Sequence, residues 1–170
     1  MFANHWCAAC CGKFSACLII LLSPLSLAVT PWTYEALDDR MTGRSGTQAT
    51  ITSETDLNFG SPYQGRNYAQ ITIRQHPKHG QDVIFSIVKG QINCSHYDCR
   101  MVVRFDNDRP MTFSGTHPAD NSPENVFLHN AAKFISRAKT AKRILIEFTA
   151  YRQGTNVVEF IPSQPFAWPK

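Results

Sequence analysis

The chain has little charge and no long apolar run. Of its 170 residues, 18% are charged and 43% are hydrophobic, a composition too apolar for an intrinsically disordered chain. No apolar segment reaches the roughly 18 to 20 residues that a membrane-spanning helix requires. Its 9 glycines and 10 prolines follow no period, which excludes collagen-like and low-complexity proteins. The sequence therefore predicts a single globular domain.

The common catalytic motifs are missing from the sequence. It contains no nucleophile-elbow serine, no phosphate-binding loop and no dinucleotide fingerprint. The segment that begins at Asp106 starts like a calcium loop, but Met111 and His117 occupy the positions that need glycine and glutamate. His76 and His79 have a metal-ligand spacing, yet Pro77 indicates an exposed loop. We therefore expect no cofactor and no metal, and we favour a binding protein over an enzyme, although a catalytic pair among the 13 acidic residues stays open.

The first 28 residues have the pattern of a secretory signal peptide. Lys13 is followed by an apolar run from Phe14 to Ala28, with Ser26 and Ala28 at the −3 and −1 positions of a cleavage site. A retained membrane anchor is the alternative, which the shortness of the run and Pro24 disfavour. We expect residues 1–28 to be removed and residues 29–170 to form one domain in the periplasm or outside the cell, without a stable membrane span. Four of the six cysteines lie in the leader: Cys7, Cys10, Cys11 and Cys17.

The remaining two cysteines, Cys94 and Cys99, are expected to pair in the oxidising compartment that an exported protein reaches. They are separated by four polar residues and flanked by runs rich in Val, Ile and Phe, a pattern typical of a hairpin. Placing them opposite each other gives one apolar and one largely polar face over residues 82–106. Its register pairs Ile92 with Met101, Gly90 with Val103 and Val88 with Phe105. The disulfide closes a short loop, so it constrains the unfolded chain by only about 2 kcal/mol.

Alternating polar and apolar residues predict further strands. The clearest are residues 68–74 and a hairpin of residues 143–151 with 156–161, while residues 32–37, 47–52 and 111–114 are weaker. Apolar residues at spacings of three and four predict a helix over 123–139, with Ser122 as its N-cap. Alternatively, residues 126–128 form a strand that precedes a shorter helix after His129. The predicted fold is mainly β, an antiparallel sandwich or small barrel with one helix covering an opening.

Two surfaces are candidates for binding a partner. The four residues between the cysteines, Ser95, His96, Tyr97 and Asp98, form the exposed tip of the predicted hairpin. A basic cluster on the predicted helix could contact an anion, or it could be a solvated face that complements the helix C-terminus; its residues are Lys133, Arg137 and Lys139. A formal charge of +4 is too small for a nucleic-acid-binding protein.

The motif Gly90-Gln91-Ile92-Asn93-Cys94, a four-residue tip and the run from Cys99 to Asp106 resembles small secreted bacterial proteins of uncharacterised function. Trp32-Thr33-Tyr34, residues 62–65 and residues 142–154 are similar to that group as well. The resemblance implies a bacterial envelope setting and supplies no catalytic residues.

Three functions follow as hypotheses. We expect first an exported β-rich binding or structural protein whose partner is an envelope protein or glycan. The second is an inhibitor of an exogenous hydrolase, which would insert the tip between Cys94 and Cys99. The third is an envelope hydrolase that uses His96, Asp98 or a pair of carboxylates.

Overall fold

The computed structural model describes residues 29–95 and 98–169. The predicted leader and its four cysteines, and the tip residues His96 and Tyr97, lie outside the described residues. The described chain forms ten strands and one helix: β1 (Thr33–Asp39), β2 (Arg44–Asp56), β3 (Tyr68–His76), β4 (Gly80–Ile87), β5 (Met101–Phe105), β6 (Met111–Phe113), β7 (Gly115–Thr116), β8 (Asn125–Leu128), α1 (Ala131–Ala138), β9 (Ile144–Ala150) and β10 (Gly154–Phe160). Within these residues, no helix has the length and hydrophobicity needed to span a membrane.

The strands form two antiparallel sheets. One sheet has six strands in the order β1-β2-β3-β4-β8-β7, and the other has four in the order β10-β9-β5-β6. Their inner faces share one apolar core, in which the rings of Phe85 on β4 and Phe148 on β9 lie 5.0 Å apart, edge to face. At one side, the Glu159 amide of β10 donates to the Thr55 hydroxyl of β2 at 3.1 Å. The predicted mainly-β fold with one helix is confirmed, and its two-layer form is sandwich-like.

Strand periodicity determines which face of each strand enters this core. On β3, Ala69, Ile71 and Ile73 are fully buried, whereas the residues between them are half-buried. On β9, Ile144 and Ile146 follow the same rule. A side-chain period of two places alternate residues on opposite faces of a sheet, so one apolar face per strand is enough to specify burial. The strands predicted from this pattern are confirmed.

The long hairpin predicted over residues 82–106 is wrong. β4 pairs with β3 and β8, whereas β5 pairs with β6 and β9, so the two apolar runs belong to different sheets. Val88 is 45% exposed, and Gly90 has a φ of 111°, a backbone conformation that interrupts an extended strand. The chain therefore leaves the first sheet after Ile87 and crosses to the second, where Ile92 bridges to Ala150 of β9.

The helix is the shorter of the two predicted forms. Residues Asn125–Leu128 form β8, and α1 begins after Asn130, whose φ of 57° breaks the strand; the helix start predicted at Ser122 is wrong. Phe134 of α1 packs edge to face on Phe105 and Phe113 of the second sheet, with ring centroids 5.2 and 5.7 Å apart. Because α1 also contacts β4 of the first sheet, it covers the core between the two sheets.

A carboxylate stabilises the turn between β1 and β2. Asp39 accepts hydrogen bonds from the Thr42 hydroxyl at 2.6 Å and the Met41 amide at 2.9 Å. The Thr42 hydroxyl, and next the Met41 amide, lower the pKa of Asp39 below its ordinary value of 3.8. A lowered pKa in the folded state stabilises the protein above the unfolded pKa, and this contribution is lost as the pH falls through the folded value.

We therefore expect Asp39→Ala to lower stability at pH 7 and to have a diminishing effect as the pH falls below about 3.8. Urea unfolding midpoints of the wild type and the variant, measured from pH 7 to pH 2, test this. Asp56→Ala, which removes an exposed carboxylate from the far end of β2, is the control. A difference between wild type and Asp39→Ala that stays constant over this pH range would contradict the expectation.

Candidate functional site

A tight turn closed by the disulfide lies at the end of the second sheet. Cys94 and Cys99 are bonded, with their Cα atoms 4.1 Å apart. Inside the disulfide, the amides of Ser95 and Asp98 each donate to the other residue's carbonyl, at 3.0 and 2.9 Å. The disulfide joins the two ends of the turn, and the two backbone hydrogen bonds hold Ser95 opposite Asp98 without involving the side chains of these two residues.

Backbone hydrogen bonds attach the turn to the C-terminal end of β9 and to the residue that follows this strand. The Asn93 amide donates to the Thr149 carbonyl, and the Tyr151 amide donates to the Gln91 carbonyl, both at 2.8 Å. Ile92, between these two contacts, is buried. Residues 91–93 therefore hold the turn on a sheet strand instead of leaving it on a free loop.

The structure brings the predicted tip residues Ser95 and Asp98 together at the surface. Both are exposed, whereas Cys94 is half-buried and Cys99 is only 1% exposed. The disulfide thus links the exposed turn to the apolar core. The other two predicted tip residues, His96 and Tyr97, lie outside the described residues.

A cleft of about 220 Å³ adjoins the turn and extends to β9. Two acidic residues, Asp98 and Glu147, and the basic residue Arg100 are among those that line it. Such a mixture of charged, amide and hydroxyl groups can donate and accept several hydrogen bonds at once. The polar side chains that line the cleft are Asn93, Ser95, Asp98, Arg100, Glu147 and Thr149.

His117 lies beside the two cysteines. The spacing of these residues in the sequence could not predict this position. A ring nitrogen of His117 and the sulfurs of Cys94 and Cys99 are all within 4.8 Å of one another. Two contacts bring them together: the Cys99 amide donates to the Gly115 carbonyl at 2.9 Å, and His117 Nδ1 lies 2.9 Å from the Asn125 carbonyl. The sequence offered no signal for this cluster, because it depends on the pairing of β7 with β8.

The predicted basic cluster lies on α1 and at its C-terminal end, and none of its three residues lines the cleft beside the turn. Arg137 forms an ion pair with Asp108, and its guanidinium is 5.8 Å from the Phe105 ring centroid. The Lys133 ammonium is likewise 5.8 Å from the centroid of Phe113, and Lys139 is exposed at the C-cap. These contacts favour a solvated face over an anion site. Only Arg137 and Lys139 lie at the C-terminal end of α1, where a cation complements the helix dipole, because Lys133 lies in its first turn.

A second cavity, of about 530 Å³, lies between β1 and the end of β3. Its charged groups are already engaged locally. Arg74 forms a bidentate ion pair with Asp82. Asp39 accepts hydrogen bonds within the β1–β2 turn. His76 Nδ1 accepts from the amides of Lys78 and His79 at 3.1 and 3.2 Å, so this nitrogen closes the β3–β4 loop. We therefore place the candidate site at the disulfide turn.

Comparison with protein-family models, curated proteins and solved structures finds no match to this chain.

Proposed function

We propose that the chain is an exported envelope protein that binds its partner through the disulfide turn and the cleft beside it. The observation that carries the proposal is the turn itself. A disulfide and two backbone hydrogen bonds hold it, while Ser95 and Asp98 face solvent. A surface fixed before binding loses little conformational entropy when a partner docks.

Export is supported by the leader-like segment and by the disulfide, since disulfides persist in oxidising compartments. The resemblance to small secreted bacterial proteins supports a bacterial envelope setting. Cell fractionation followed by N-terminal sequencing tests this part of the proposal. We expect the mature chain to begin near Val29 in the periplasm or the medium, whereas an intact Met1 in the cytoplasm would overturn the export proposal.

The chemistry of the cleft favours an envelope glycan or a polar protein surface as the partner. Two carboxylates, one guanidinium and several neutral polar groups match a ligand that is rich in hydroxyl and amide groups. Cell-wall sacculi sedimented with the protein are the probe for the glycan. We expect co-sedimentation that Arg100→Ala weakens and that Lys139→Ala, at the C-cap of α1 and outside the cleft, leaves unchanged. A wild-type chain that stays in the supernatant would exclude the sacculus as the partner.

Inhibition of an exogenous hydrolase is the second candidate, which is favoured by the exposure of Ser95 and Asp98 on either side of the tip and by the hydrogen bonds that hold them. Truncating the side chains of Ser95 and Asp98 leaves the hydrogen bonds between them in place, because these bonds are made by the backbone. A change in inhibition would therefore report the loss of side-chain contacts and not a change in the fold. A small number of residues at the centre of an interface carries most of its binding energy.

If the chain is an inhibitor, we expect the double substitution Ser95→Ala and Asp98→Ala to weaken inhibition by about 30-fold or more, the equivalent of about 2 kcal/mol. The assay measures residual activity of a panel of muramidases and serine proteases against inhibitor concentration. Lys133→Ala on α1 is the matched control for loss of a surface charge. Unchanged potency of the double variant would show that the turn is not the inhibitory surface.

A further inference from the structure

We propose that Cys94, Cys99 and His117 form a Zn²⁺ site when the disulfide is reduced. The two sulfurs and a ring nitrogen of His117 lie within 4.8 Å of one another. Zinc binds thiolate sulfur at about 2.3 Å and imidazole nitrogen at about 2.0–2.1 Å, so tetrahedral ligand atoms are roughly 3.5–4 Å apart. Once the bond between them is reduced, the two sulfurs must move apart to this spacing, while His117 already lies within reach of both.

The hydrogen bond of His117 prepares the imidazole for metal binding. Its Nδ1 lies 2.9 Å from the backbone carbonyl of Asn125. A carbonyl oxygen can only accept, so Nδ1 carries the proton, and the lone pair of the neutral ring is on Nε2. A backbone carbonyl that fixes the tautomer in this way is the usual outer partner of a zinc-binding histidine.

The fold also holds the sulfur of Cys99 close to His117. The Cys99 amide donates to the Gly115 carbonyl, two residues before His117. Cys99 is buried, whereas Cys94 is half-buried and lies on the solvent side. Three protein ligands with access from one side leave the fourth position to water or to a ligand from solution, as in zinc sites that keep an open position.

Metal binding and the disulfide exclude each other, because both use the same sulfurs. A dithiol reduces the disulfide by exchange: the Cys94–Cys99 bond breaks, the two cysteines gain two electrons and two protons, and the dithiol becomes a disulfide. Zinc then forms two Zn–S bonds and releases the two thiol protons. This proposal is independent of what the turn binds in the oxidised protein.

The test uses the full chain with Cys7→Ser, Cys10→Ser, Cys11→Ser and Cys17→Ser, so that Cys94 and Cys99 are its only thiols. The protein is reduced with a dithiol, and the dithiol is then removed under anaerobic conditions. The reduced protein is titrated with Co²⁺, whose thiolate complexes show charge-transfer absorption. We expect absorption that saturates at one Co²⁺ per chain and is displaced by Zn²⁺, and none in the oxidised protein. Reduced protein without this absorption would overturn the proposal.

The role of His117 is tested in the same protein. We expect His117→Ala to weaken Co²⁺ affinity at least ~10-fold, and His117→Asn, which retains a donor for the Asn125 carbonyl, to weaken it similarly. His129→Ala removes an exposed imidazole after β8 and should leave the affinity unchanged. Circular dichroism confirms that each variant is folded. Equal affinity of His117→Asn and His129→Ala would show that His117 is not a ligand.

Discussion

Replacing Phe148 by alanine is expected to destabilise the protein by about 3–5 kcal/mol. Phe148 is 1% exposed on β9 of the four-stranded sheet, and its ring packs edge to face on Phe85 of the six-stranded sheet. The substitution removes buried apolar surface and leaves a cavity between two sheets whose backbones are fixed by their own hydrogen bonds. Because a domain of this size is stable by only about 5–15 kcal/mol, the loss is a large fraction of the total.

Urea unfolding followed by tryptophan fluorescence measures this effect. Tyr151→Ala, one residue beyond the end of β9 and 47% exposed, is the matched control, because it removes an aromatic ring from the surface of the same chain segment. We expect the control to change the free energy of unfolding by less than about 0.5 kcal/mol. A loss below about 1 kcal/mol in Phe148→Ala would mean that the two sheets are not packed through this pair.

The parts of the fold that depend on local periodicity could be predicted from the sequence. β3 and β9 each have one apolar and one more polar face, so their burial follows from residue order. The β9–β10 hairpin could also be predicted, since its two runs are adjacent and a short turn fixes their pairing. In these elements at least one partner of each strand is its neighbour in sequence.

The hairpin predicted over residues 82–106 shows that a local pattern of polar and apolar residues does not predict which strands pair. Both apolar runs are strands and Cys94 does meet Cys99, but β4 and β5 pair with strands elsewhere in the chain. An alternating run specifies which face is buried without specifying which strand lies beside it. The backbone of Gly90, with its φ of 111°, is the local sign of the crossing. A glycine within a strand pattern can be interpreted either as part of the strand or as a break.

The candidate site was predictable only in part for the same reason. The cysteines and the polar residues between them are contiguous, so the exposed turn could be predicted. Strand pairing over long sequence separations brings Glu147 of β9 to the cleft and His117 to the two cysteines. No sequence spacing marks such residues, because their separation along the chain is set by the intervening elements.

Replacing Gly115 by alanine is expected to destabilise the protein by about 1–3 kcal/mol and to disturb the surroundings of the disulfide. A β-carbon at Gly115 would lie 2.5 Å from Val126 Cγ1 and 2.6 Å from the Phe127 carbonyl oxygen. The second contact is with backbone of β8, which pairs with β7 at this position. The two strands would have to separate, because backbone cannot move aside as a flexible side chain can.

Separating β7 from β8 would also disturb the proposed metal site, because the Gly115 carbonyl of β7 accepts a hydrogen bond from the Cys99 amide. We expect reduced Gly115→Ala protein to bind Co²⁺ more weakly than its parent, in addition to having a lower urea midpoint. Gly60→Ala is the matched control, since its β-carbon would meet only Gln153 Oε1, at an ordinary 3.8 Å. If Gly115→Ala unfolds at the same urea concentration as Gly60→Ala, then β7 does not pair closely with β8. The position of His117 beside the cysteines, which depends on that pairing, would then be contradicted as well.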